Sequence, residues 1–130
     1  MFFLAAMLLP TRGELPFAQN SPNAPAAYLG FDRNDYPGDF AMPALKQSFS
    51  FTGYWLNAPP GASSNTWAGK RAIVRGNGFG FLVLFNGRTS KQLKRPADPV
   101  ALGASDARAA IKSAKREGFP PGAIIFLDQE

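Results

Sequence analysis

Cysteine and histidine are both absent from the 130 residues. Without cysteine there is no disulfide framework, no thiolate nucleophile and no thiolate metal site. Without histidine, Ser-His and Cys-His catalysis fall away, together with the usual zinc centres. Acid–base chemistry in this chain has to run on carboxylates, Lys, Tyr or water. Long apolar runs are missing as well. The N-terminal Met1-Phe-Phe-Leu-Ala-Ala-Met-Leu-Leu-Pro10 is far too short to cross a bilayer as a helix, so no integral membrane segment is expected. It matches a signal-peptide core in length but lacks a basic n-region; Ala18 and Ala24 are the available exits. Residues 1–25 are read as a signal-like leader and linker, which makes the protein secreted or cell-envelope bound, with a cytoplasmic N-terminal arm as the alternative.

What is present is enough for one domain. A hydrophobic fraction of 45% supports a core. The net charge is +5, from 14 basic and 9 acidic residues. These charges are spread, and several fall on the solvated face of a predicted helix, so no nucleic-acid partner is expected. The balance suits anionic surfaces such as bacterial wall polymers. No cofactor is expected. The glycine-rich Arg75-Gly-Asn-Gly-Phe-Gly80 leads into a strand instead of from a strand into a helix, the wrong context for a phosphate loop.

Along residues 26–130 the apolar runs and breakers alternate. Strands are predicted at Tyr28–Asp32, Ser50–Leu56, Gly80–Asn86 and Ala123–Glu130. Helices are predicted at Phe40–Gln47, capped by Asp39, at Trp67–Arg71 under Thr66, able to run into Ile73-Val74 and break at Gly76-Asn77-Gly78, and at Asp106–Glu117. The last helix should bury Ala109, Ala110, Ile111 and Ala114. Gly87 to Gly103, with Pro96 and Pro99, reads as a long basic loop. The order β-α-β-α-β-α-β argues an α/β fold with a parallel sheet and right-handed crossovers. A complete eight-stranded barrel takes about 250 residues, so the expected fold is the N-terminal half of a (β/α)8 TIM-type barrel, truncated.

The chemistry sits at strand ends. Strand one ends in Asp32 and strand four in Asp128 and Glu130. Asp128 and Glu130 are two residues apart and share a face; Ile125 and Leu127 take the other. In a parallel sheet all three acids reach one rim. Glycosidic hydrolysis needs such a set: one carboxyl protonates the leaving oxygen and another supports the oxocarbenium centre, attacks it, or activates water. Tyr54, Trp55 and Trp67 are candidate sugar-stacking aromatics, each with core packing as its competing role. Twelve Phe residues show that aromatics mostly fill the core here. Asn86 ends strand three on the same rim, where it can orient a hydroxyl or simply make a turn before Gly87.

Taken in order, these pieces resemble a family. Gly30-Phe-Asp32, Phe51-Thr-Gly-Tyr-Trp-Leu56, Leu82-Val-Leu-Phe-Asn-Gly87, the Gly103-x-x-Asp106-Ala-Arg-Ala-Ala110 helix start, Gly118-Phe-Pro-Pro-Gly122 and Ile124-Ile-Phe-Leu-Asp128 resemble the glycoside-hydrolase-like domain once filed as domain of unknown function 1906. That family is similar to the family-25 lysozyme-type glycoside hydrolases, (β/α) barrels that cleave peptidoglycan. The resemblance covers Tyr28 to Glu130. It implies Glu130 as general acid, Asp128 as electrostatic or nucleophilic partner, Asp32 as supporting acid, and a cell-wall glycan as partner. The alternative is a non-catalytic carbohydrate-binding or cell-surface module on a degenerate barrel. A half barrel should associate or be only marginally folded, and should show no appreciable glycosidase activity by itself.

Overall fold

The computed structural model describes residues 27–94 and 98–129. The leader, residues 1–25, and Glu130 lie outside the described residues. Strands β1 (Gly30–Phe31), β2 (Phe51–Trp55), β3 (Gly80–Asn86) and β4 (Ile125–Asp128) form one sheet in the order β1-β2-β3-β4. Every neighbouring pair is parallel. The fold is therefore α/β with a four-stranded parallel sheet, as the alternation of strands and helices requires. The ladder runs beyond the strands: Ser50 N–H donates to Leu29 O at 2.7 Å and Leu56 N–H to Leu84 O at 2.8 Å.

Register assigns the faces. Tyr54, Val83 and Ile125 are partnered across the three strands and share one face. Trp55, Leu84 and Phe126 share the other. Helices α2 (Arg71–Gly76) and α4 (Pro99–Arg116) cover the Tyr54 face. The Arg71 guanidinium lies 5.9 Å from the Phe81 ring, and Phe119, just past α4, packs on Tyr54 and Phe81 with ring centroids at 5.4 and 5.2 Å. A cavity of about 450 Å³ remains between α4 and the sheet, with Phe85, Ile125 and Leu127 among its walls. In strict sequential order, crossovers of one hand put all helices on one side of a sheet. Ile124, Phe126 and Leu127 at the β4 edge stay 72%, 50% and 47% exposed.

Several local expectations are corrected. The first helix is shorter than Phe40–Gln47: a 3-10 turn, Asp39–Ala41, leads into α1 (Met42–Lys46), with Pro43 tolerated in the first turn. Asp39 caps nothing; its carboxylate takes the Lys70 ammonium at 3.1 Å. The segment from Trp67 is helical only from Arg71, because Gly69 at φ +76° turns the chain first; α2 then runs through Ile73-Val74 and ends at the expected Gly76-Asn77 break. Thr66 does not cap it either; its hydroxyl accepts from Tyr36 N–H at 2.8 Å. The basic loop contains a short helix, α3 (Ser90–Leu93), closed by a Thr89–Gln92 capping box. It also contains the start of α4, seven residues before the expected Asp106. Pro99 sits at the helix start, where its missing N–H costs nothing, and Asp98 Oδ1 accepts from Ala101 N–H at 2.9 Å. Of the expected stripe, Ala110 and Ala114 are buried, Ala109 is exposed and Ile111 is 50% exposed.

Candidate functional site

At the carboxyl ends of the strands, the face opposite the helices carries Asp32, Trp55 and Asp128. Asp32 is the first residue past β1 and continues the ladder onto Gly53. Its carboxyl occupies the space above Gly53, where any β-carbon would collide with it. Glycine at 53 is thus needed for close approach. The residue keeps solvent exposure, yet partial burial of the carboxyl pushes its pKa above the ordinary 3.8. The Trp55 indole and the Arg33 backbone N–H pull it back, and the Asp128 charge adds to the rise.

Asp128 closes β4 and is half-buried. Its register partner is Asn86. Its carbonyl accepts from Gly87 N–H at 2.7 Å, and a β-carbon on Gly87 would lie 2.9 Å from that oxygen. Gly87 is therefore the residue that lets the end of β3 pin the backbone under the carboxylate. Asp32 and Asp128 are brought onto one face; Glu130, the expected acid, falls outside the described residues.

Asn86 is committed to scaffolding. Its side-chain amide donates to Ala58 O at 2.9 Å, and its backbone N–H donates to Asn57 Oδ1 at 2.8 Å. Asn57 Nδ2 returns the bond to Asn86 O at 2.8 Å. This reciprocal pair clamps the ends of β2 and β3. Asn57 is not among the residues the sequence singles out; an Asn directly past a strand is the signal that was available.

The aromatics divide by face. Tyr54 is fully buried on the helix side, among Trp67, Phe81 and Phe119. Its hydroxyl donates to Glu117 Oε2 at 2.6 Å, and burial followed by that bond drives its pKa far above the usual tyrosine range. A sugar-stacking ring needs an open face, so Tyr54 as a substrate-binding residue is corrected to core. Trp67 is also fully buried, its indole N–H shared between Arg33 O and Asn34 O, both at 3.1 Å. Trp55 is 3% exposed but lies on the acid-bearing face, and its Nε1 has no hydrogen-bond partner among the described residues.

The raised Asp32 pKa fixes a sign. Between 3.8 and the raised value, the folded chain holds a proton that the unfolded chain has lost. Stability falls as pH rises through that window and is level above it. Asp39 runs the opposite way: the Lys70 bond lowers its pKa, so its contribution is lost as pH falls. Asp32→Asn should remove only the first trend. Urea midpoints of both proteins from about pH 3 to about pH 7 should converge at the acid end, with the variant the more stable at the neutral end. Parallel curves would contradict the burial of this carboxyl.

Among the described residues no group of three or more His, Cys, Asp or Glu side chains is placed to hold a metal, and no helix is long and apolar enough to cross a membrane. Compared with protein-family models, with curated proteins and with solved structures, the chain matches none.

Proposed function

We propose that this chain forms the first half of a glycoside-hydrolase-like (β/α)8 barrel that acts on a peptidoglycan-type polysaccharide at the cell envelope. The carrying observation is the placement of Asp32 and Asp128 at the carboxyl ends of parallel strands, on one face of the sheet. Continued along the ladder, Asp32 aligns with Gly53, Leu82 and Ile124. Asp128 lies four residues further along β4. In a flat sheet that separation is about 14 Å across and about 13 Å along the strands. A joint site therefore requires a sheet curled toward the acids and tilted, the geometry that barrel closure demands. The one-sided helices and the exposed apolar edge at β4 suit the same reading.

In this reading Asp128 stabilises or attacks the developing oxocarbenium centre, Glu130 protonates the leaving oxygen, and Asp32 supports the pair. The second reading, a glycan-binding module without catalysis, draws on the burial of Tyr54 and the commitment of Asn86 to the scaffold, which leave few side chains to grip a sugar.

The test is a titration of the 130-residue chain with peptidoglycan-derived oligosaccharides, followed by amide NMR, with a reducing-end assay in parallel. The expected result is chemical-shift change at Asp32, Trp55 and Asp128 without release of reducing ends. In a protein carrying all eight units, Asp128→Asn should lower release by about 100-fold or more. Oligosaccharide that leaves the rim unperturbed would remove both readings. Glu130-dependent release by the 130-residue chain would overturn the half barrel.

A further inference from the structure

Trp55 presents a problem of accounting. A buried indole N–H without a partner is costly, and native interiors rarely leave one. The Trp55 side chain is 3% exposed, and its Nε1 is unpartnered among the described residues. Trp67, the other tryptophan, has its N–H satisfied twice over. The difference lies in what faces each ring. Trp55 is two residues after Gly53 on the same strand face, and the Asp32 carboxyl fills the space above Gly53. Trp55 and the Asp32 carboxyl therefore share one face of the sheet, two residues apart along β2. Trp55 is also the side-chain donor that favours the ionised form of Asp32. Trp55 thus offers a buried donor, without an acceptor among the described residues, on the face where the Asp32 carboxyl sits.

We propose that Trp55 is the positioning residue of Asp32: its rigid, buried indole N–H is the donor that fixes the carboxylate in the notch cut by Gly53. A tryptophan suits this task. It donates only, so it cannot compete for the carboxylate proton. It is also wedged in a strand, so its direction does not drift. The catalytic meaning of the pairing rests on the glycosidase reading above; the pairing itself does not. Trp55 is thereby assigned to holding an acid, instead of the sugar-stacking role expected of it.

The two-tryptophan composition makes the test clean. In the full chain, the indole 15N–1H signal of Trp55 should shift with the same pH midpoint as the Asp32 side-chain 13C carboxyl. That transition should vanish in Asp32→Asn, while the Trp67 indole, bonded to backbone carbonyls, serves as internal reference. In Trp55→Phe the Asp32 midpoint should rise by roughly half a pH unit or more, because the donor that favoured the charged form is gone. A Trp55 indole signal that stays flat through the Asp32 titration in the wild-type chain overturns the proposal. So does an unmoved Asp32 midpoint in folded Trp55→Phe. If that variant does not fold, the wild-type and Asp32→Asn pair decides alone. Either overturning result leaves the glycan titration standing, and a silent glycan titration leaves this pairing standing.

Discussion

Glu117→Ala should destabilise the fold by about 3–5 kcal/mol, the range for removing one partner of a buried charged network. The Glu117 side chain is 5% exposed. One oxygen, Oε2, accepts from both the Tyr54 hydroxyl at 2.6 Å and the Gly69 N–H at 2.8 Å. Three pieces meet at that atom: the centre of β2, the turn before α2, and the C-terminal end of α4. Alanine leaves the Tyr54 hydroxyl buried with no acceptor. Tyr54→Phe should cost less, about 1.5–3 kcal/mol, since Glu117 keeps the Gly69 N–H. Urea unfolding of the two single variants and the double variant gives the coupling directly. If the double variant loses the full sum of the single losses, the hydroxyl and the carboxylate are not coupled and this account fails.

Trp67→Ala should cost a similar amount, about 3–5 kcal/mol, by emptying a fully buried site against Tyr36 and Tyr54. The more telling variant is Trp67→Phe. It keeps most of the ring volume but removes the N–H that holds Arg33 O and Asn34 O. Those carbonyls belong to the two residues directly after Asp32. Trp67→Phe should therefore unfold at only modestly lower urea, yet perturb the Asp32 and Arg33 amide signals. Large destabilisation with unchanged rim signals would show that the indole only fills space.

How much of this was legible in the sequence depends on whether a feature is local. The limits of β3 could be read because an apolar run is bounded by Gly80 and by Asn86-Gly87. The parallel class followed from the alternation of elements. The start of α4 was hidden by Pro99, whose two roles, breaker and first helical residue, look alike in a string. The division between Tyr54 and Trp55 was hidden for a different reason. Both faces of β2 are apolar, so alternation separates the two rings without saying which face the helices take. The seat of Asp32 above Gly53 was out of reach, because it depends on register between strands about twenty residues apart. Glu117 sits at the end of a basic helix, where nothing in the string marks it; only the fold brings Tyr54, 63 residues away, to it.

The sequential sheet order has a kinetic consequence. Each strand pairs with the one synthesised just before it, so no strand has to be inserted between two that are already joined. The sheet can grow at a single edge, unit by unit, as chain emerges from the ribosome. Each closure joins strands one unit apart in sequence, and closure cost grows only slowly with the length enclosed. The Tyr54–Glu117 bond is a longer-range contact. The ladder between β2 and β3 is complete by Asn86, whereas the acceptor for the Tyr54 hydroxyl is not made until residue 117. Until then that hydroxyl must stay hydrated, and the helix face of β2 cannot dry. Docking of the α4 terminus is thus the step that turns a nascent, wet sheet into a sealed one.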